Sequence, residues 1–481
     1  MSISGVLSNA LSGLTAASRA AEIVASNISN ATTEGYAARS LSLSARMTGG
    51  VAIDGVSRAV NQSLLADRRM AEAESGHTSD LAAAYNSIED MFGSPMDAGS
   101  LSALTTAFET SLIEASSRPD SMARLSRAVQ SADMLTTKIR QISQGVQAIR
   151  TAADRSISQQ VEHLNKDLEE MRVLNTRIVS FAAQGAETAS LLDARQGLID
   201  RIAAIVPVKE VSRENGAVAL FTAGGAVLLD VTAAKIGFSP VNVVAPQMTQ
   251  AAGTLSGLTI NSKPISTDPG LGPLRGGRLD AAFQVRDGLT VAAQQQTDAL
   301  ARNLVERFSE PGLDGTLAAG QPGLLTDAGQ AFDPLDETGL AGRITINAAL
   351  IPKQGGHVWR LRDGLGALQP GNIGDSTLLN RLADAMTERR VPASGQLGAG
   401  PLGFHEIASR VLSDISTSRH FSEQRQSFAA TRLTSLEMAE RERGVDTDEQ
   451  LQKLLQIEQA YAANARVIKA AGDMINNLLR I

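Results

Sequence analysis

Cysteine is missing from all 481 residues, which removes disulfides, thiolate zinc sites and cysteine nucleophiles together. That absence leaves the compartment open. A cytosolic protein can lack cysteine, and an exported chain that crosses a channel unfolded also gains from having nothing to misoxidise. Aromatic residues are scarce at 3%, although apolar residues make up 43% of the chain, a balance that favours slim helical packing over an aromatic-lined ligand pocket. No run of about 18 apolar residues occurs, and no basic segment leads into an apolar one at the start, so neither a membrane span nor a cleaved secretory signal is read. Clusters of lysine and arginine are lacking too. The 44 basic and 51 acidic residues are scattered, for a net charge of -7, which argues against a nucleic-acid partner.

Proline is confined to the middle. All 15 prolines lie between Pro95 and Pro401, so both ends are free of the strongest helix breaker. The ends therefore read as helical and the middle as irregular, in a chain long enough for two to four domains. This symmetry suggests that the two ends form one structural unit with the rest inserted between them.

What the ends contain is heptad spacing. Leu7, Leu14, Ala21 and Ile28 recur every seven residues, beside Ile3, Ala10, Ala17, Val24 and Ala31 in a second register. Near the other end Leu454, Tyr461, Ile468 and Ile475 repeat the step, with Ala465, Leu478 and Leu479 widening the stripe. Each stripe belongs to a helix of roughly 25 to 30 residues, whose apolar face needs a cover. The cover is either the other terminal helix of the same chain or neighbouring subunits in an assembly, and the pattern alone does not choose.

Between the ends, helical spacing runs from about 78 to 205. Leu81, Tyr85, Ile88 and Phe92 mark one helix, and Leu104, Phe108, Leu112 and Ala115 another. A very long helix begins after Asp120, with a seam from Leu135 through Ile157, Leu164, Met171 and Ile178 and a weak point at Gly145. Pro207 ends the helical run. Alternating Val208, Val211, Val218 and Leu220 around Asn215-Gly216 predict a type I′ hairpin, with further strands near 255–260 and 344–347. Residues 279–308 read as helix, 311–335 as loop, and 404–443 as helix stopped by Gly444. The expected fold is mainly α with an inserted β-rich module, its long coiled-coil-like domains closed by pairing of N- and C-terminal segments. The expected units are 1–60 with 440–481, 61–205 with 276–439, and an outer module at 206–275.

Chemistry is hard to find. His77, His163, His357, His405 and His420 are far apart, and none stands at metal-ligand spacing. Gly270, Gly272, Gly276 and Gly277 fit neither a dinucleotide nor a P-loop fingerprint. The acidic pairs Glu169-Glu170 and Asp448-Glu449 suit a solvated helix face or a helix start. Neither enzyme activity nor a cofactor or metal is expected.

Directly after the first heptads stands Asn27-Ile28-Ser29-Asn30-Ala31-Thr32-Thr33-Glu34-Gly35-Tyr36. It resembles the Asn-Ile-Ala-Asn-Ala-x-Thr-Pro-Gly-Tyr motif of flagellar rod, hook and hook-associated proteins, with Glu34 in place of the usual proline. Physically, Asn27 and Asn30 can satisfy backbone groups at a helix end, and Gly35 can take positive φ. Read without the family, the motif is a helix C-cap. Gly444-Val445-Asp446-Thr447-Asp448-Glu449-Gln450, followed by Gln459-Ala460-Tyr461 and Ala465-Arg466-Val467-Ile468, is similar to that family's closing signature. Interior segments, among them Leu191-Leu192-Asp193-x-Arg195, Phe221-Thr222-x-Gly224-Gly225 and Gly276-Gly277-x-Leu279, resemble the hook-associated members that join hook to filament.

The resemblance implies terminal helices lining the inner tube of an axial structure, with the β-rich insertion facing outward. It implies self-assembly in a ring, contact with hook protein and with the second hook-associated protein, and export through the flagellar type III apparatus with a chaperone on the C-terminal region. The location implied is extracellular, at the hook-filament junction, without membrane insertion. Its assembly residues would be Leu7, Leu14, Asn27, Ile28, Asn30, Gly35, Tyr36, Leu454, Tyr461, Ile468 and Ile475, and the terminal helices would gain order as they pair. The alternatives are another axial protein, such as hook protein or flagellin, or a secreted enzyme or adhesin working through the β-rich module.

Overall fold

The computed structural model describes residues 2–33 and 35–479; Glu34 of the N-terminal motif lies outside the described residues. Helices open the chain where short polar side chains can cap them. Helix α1 (Ile3–Ser29) starts at Ser2, whose hydroxyl accepts from the Gly5 N–H. A hairpin of β1 (Arg39–Ala45) and β2 (Val51–Arg58) follows. Helix α2 (Gln62–Phe92) is capped by Asn61, α3 (Leu101–Ser117) by Ser100 and α4 (Met122–Ala183) by Ser121. At 62 residues, α4 is a rod about 90 Å long. Helix α5 (Ala189–Ile205) then leads into the strands.

Those strands are short: β3 (Val208–Ser212), β4 (Val218–Thr222) and β5 (Val227–Leu229) form one antiparallel sheet, and β6 (Ile236–Gly237), β7 (Leu258–Ile260) and β8 (Lys263–Ile265) another. The β3–β4 turn places both Asn215 (φ 53) and Gly216 (φ 78) in the left-handed region, as a type I′ turn requires. Helix α6 (Gly277–Phe283) passes through a π-helical turn, 284–289, into α7 (Thr290–Phe308). Strands β9 (Leu325–Asp327) and β10 (Ile344–Ile346) pair around α8 (Leu340–Arg343). Then come α9 (Arg360–Asp363), α10 (Thr377–Thr387), α11 (Phe404–Glu442) and α12 (Thr447–Leu478).

Two large apolar cores are threaded on α4. Its first half packs with α3, α7, α10 and the start of α11, where Phe108 and Phe308 meet at 5.7 Å. Its second half, from Ile157 to Met171, shares a core with α5, α6 and the strands of the 206–275 module. The module therefore leans on the rod for its interior. A buried polar cluster fastens it there. Fully buried Arg286, on the π-helical turn, reaches Asp154 of α4 at 2.7 Å and the Ser256 carbonyl at 2.9 Å, beside the edge-to-face rings of Phe283 and Phe238. Arg150, one turn before Asp154, holds the carbonyls of Arg286 (2.8 Å) and Met248 (2.6 Å).

Four local readings change. The N-terminal stretch before Pro95 is not all helix, because 39–58 form the β1–β2 hairpin. The expected loop 311–335 carries β9, which needs β10 as its partner. The helix over 279–308 is interrupted by its π-helical turn. Gly145 breaks nothing: α4 runs through it, and the bare Cα makes room for Met91, whose Sδ would lie 2.4 Å from a Cβ.

Candidate assembly site at the paired termini

Helices α1 and α12 pack against each other within one chain. They run antiparallel, since Asn27 meets Gln450 and Gly13 meets Asn464. On α1 the buried residues are Ala10, Ala16, Ala17, Ile23, Val24 and Asn27, shared between the contacts with α12 and with the β1–β2 hairpin, and the alanines let backbones approach closely. On α12 only Gln450 and Ala471 are buried among the described residues.

The motif residues divide between structural ties and open surface. Asn27 is 1% exposed, and its amide is saturated: Nδ2 donates to the Arg39 carbonyl (2.8 Å) and Gln450 Oε1 (2.9 Å), while Oδ1 accepts from Arg39 N (3.0 Å) and Tyr36 Oη (2.8 Å). Asn27, in the last turn of α1, thus serves the backbone at the start of β1 rather than its own helix end. The end belongs to Asn30, which donates to the Ser26 carbonyl at 2.9 Å. Gly35, at φ 78, completes the turn in which Tyr36 N donates to Thr33 O. The Tyr36 ring carries the Arg39 guanidinium 4.9 Å from its centre. Leu14 and Ile28 are half-buried, as is Ile468, whereas Leu7, Leu454, Tyr461 and Ile475 are exposed.

Sequence reasoning missed the ionic residues that join this pair to the rod. Arg39 and Arg58, neighbours across the hairpin, close on Asp193 of α5 at 2.6 and 2.5 Å. Arg68 of α2 reaches Asp200 (2.8 Å), Glu72 (2.8 Å) and Glu440 at the end of α11 (2.7 Å). Burial lowers the Arg68 pKa, but Asp200, Glu440 and Glu72 outweigh it and raise it overall; burial also raises that of Glu72. Arg69 spans Asp200 and Glu210. Only the interior match at Asp193 and Arg195 pointed to this region. Arg195 holds the Gly216 carbonyl at 2.6 Å, and its burial lowers its pKa.

Along α12 an apolar surface stays open: Leu451, Leu455, Val467, Met474 and Leu478 are all at least 41% exposed. His77 lies 3.6 Å from Asp280, yet no group of three metal-ligating side chains occurs among the described residues. No described helix is long and apolar enough to cross a membrane.

The C-terminal 442–481 fit the flagellar basal body rod FlgEFG protein C-terminal model, and residues 7–36 fit the flagella basal body rod protein model. Two curated relatives named flagellar hook-associated protein 1 align nearly end to end. The one from Bacillus subtilis (strain 168) is 22% identical, covering 98% of this chain and 97% of its own, and the one from Escherichia coli (strain K12) is 23% identical over 100% of both. A solved structure of the flagellar hook junction protein FlgK from Burkholderia pseudomallei, 18% identical, superposes with a TM-score of 0.43 over 54% of this chain and 46% of that one. Residues 85–325, half of the chain, match the model of the flagellar hook-associated protein FlgK helical domain, and the protein therefore belongs to the FlgK family of flagellar hook-associated proteins.

Proposed function

We propose that this chain is an axial building block of the flagellum that joins hook to filament, in the manner of hook-associated protein 1, and assembles through its paired terminal helices. The observation that carries the reading is the one-sided burial of that pair. Helix α12 keeps a row of large apolar side chains in water after α1 has packed against it. Monomeric proteins rarely leave such rows uncovered. Further copies in a ring, hook protein and the second hook-associated protein are the proposed neighbours, and an export chaperone is the proposed cover before assembly.

We read the role as non-enzymatic and the location as extracellular, after export through the flagellar type III apparatus. The units 1–60 with 440–481, 61–205 with 276–439, and 206–275 are proposed as inner pair, rod and outer module. A deletion strain tests the junction role. Hooks without filaments, with filament protein lost to the medium, support it; missing hooks would instead indicate a hook protein.

A further inference from the structure

An antiparallel pair lined by alanine has little to define its register. The α1 seam, Ala10, Gly13, Ala17, Ala20, Val24 and Asn27, faces an α12 seam that repeats at the same spacing, Gln450, Leu454, Ile457, Tyr461, Asn464, Ile468 and Ala471. A slide of one heptad, about 10 Å, would lay seam on seam again. Chain connection does not prevent it, because the nine residues from Asn30 to Ala38 could extend over about 30 Å.

One hydrogen bond and one steric fit break the repeat. Gln450 is 4% exposed, and its Oε1 accepts from Asn27 Nδ2 at 2.9 Å, while Asn27 is itself tied to Arg39 and Tyr36. Two heptads away, the Asn464 amide occupies the space that a side chain on Gly13 would need, 2.8 Å from the ideal Cβ position. A one-heptad slip would set the Gln450 amide against Ala20 or carry it past the end of α1 at Ser29, and would press Asn464 against Val6 or Ala20 instead of Gly13.

We infer that Gln450 and Asn464, opposite Asn27 and Gly13, fix the register of the terminal helix pair and so the relative height of the two surfaces it offers to neighbouring subunits. The structural part stands on these contacts alone; its importance for assembly rests on the function proposed above. Leaving a buried amide unpaired disfavours a slipped register by roughly ten- to a hundredfold.

The chain's lack of cysteine makes the test direct. Full-length protein carrying Ala17→Cys with Tyr461→Cys reports the native register, one turn from the Gly13–Asn464 contact. Ala17→Cys with Leu454→Cys or Ile468→Cys reports a slip of one heptad either way. Under mild oxidation the parent background should give the intramolecular disulfide in the first pair only. Adding Gln450→Leu and Asn464→Ala should move a substantial share of cross-linking to a slipped pair, with Gln450→Leu alone giving an intermediate shift. An unchanged preference for the first pair in the double variant would overturn the assignment. A slipped variant that still builds into flagella would leave the register assignment standing and remove the assembly role of the pair.

Discussion

Arg39 reaches Asp193 across 154 positions of sequence, its guanidinium 2.6 Å from a carboxylate that also holds Arg58 at 2.5 Å. This is the joint between the terminal pair and the rod. All three side chains are less than a fifth exposed, so removing the shared anion strands two partly desolvated cations. Asp193→Ala should weaken the joint by about 3 kcal/mol. Hydrogen exchange would show this as faster opening of 36–60, with the core around Phe108 and Phe308 protected as before.

Leu455 and Ile468 lie on different sides of α12, one 60% exposed and the other half-buried in the seam with α1. Leu455→Asp should change monomer stability by no more than about 0.5 kcal/mol, yet prevent incorporation into flagella. Ile468→Asp should both loosen the α1–α12 pair and prevent incorporation. Thermal melts beside electron microscopy of complemented cells separate the two effects, and normal flagella with Leu455→Asp would contradict the role proposed for the open face.

Asp298 is buried in α7, where it accepts from Gly339 N (2.8 Å), Ala341 N (2.8 Å) and Gln294 (2.9 Å). Burial outweighs those bonds and pushes its pKa up to about 6, from 3.8. Between those values the native state holds a proton that the unfolded chain releases. The stabilisation from this group is thus complete below pH 3.8 and is lost as pH rises through about 6. Asp298→Asn sets an amide N–H against a backbone N–H and should destabilise by about 2 kcal/mol at neutral pH. Urea unfolding at pH 7.5 and 5 should show the parent's advantage growing on acidification.

The ion pair of Arg286 and Asp154 is closed to solvent. Asp154→Ala leaves a buried guanidinium without its partner on α4 and removes the acceptor of Val241 N, and should destabilise by about 3–5 kcal/mol. Replacing both charges, Asp154→Leu with Arg286→Met, should recover part of that loss. Chemical unfolding of both variants checks the order.

Much of the scaffold was legible because helix formation follows local spacing. The seam from Leu135 to Ile178, the Asn215-Gly216 turn and the break after Ile205 are readable from neighbours a few residues apart. The β1–β2 hairpin was missed although Leu41 and Leu43 alternate with serines, since the heptads before it and the absence of proline suggested helix throughout. Strand β9 was missed because three residues carry no period of their own.

The candidate site was legible only in part. Sequence by itself determined that each terminal helix has an apolar stripe and that a tight turn follows the first, because period and turn chemistry are properties of short segments. Tertiary structure decided that the stripes pair antiparallel within one chain, that Asn27 answers to Gln450, and that Arg39 and Arg58 converge on Asp193. Those decisions belong to contacts between residues far apart in sequence, where side-chain shape, desolvation and hydrogen-bond geometry select one partner among many that the pattern allows.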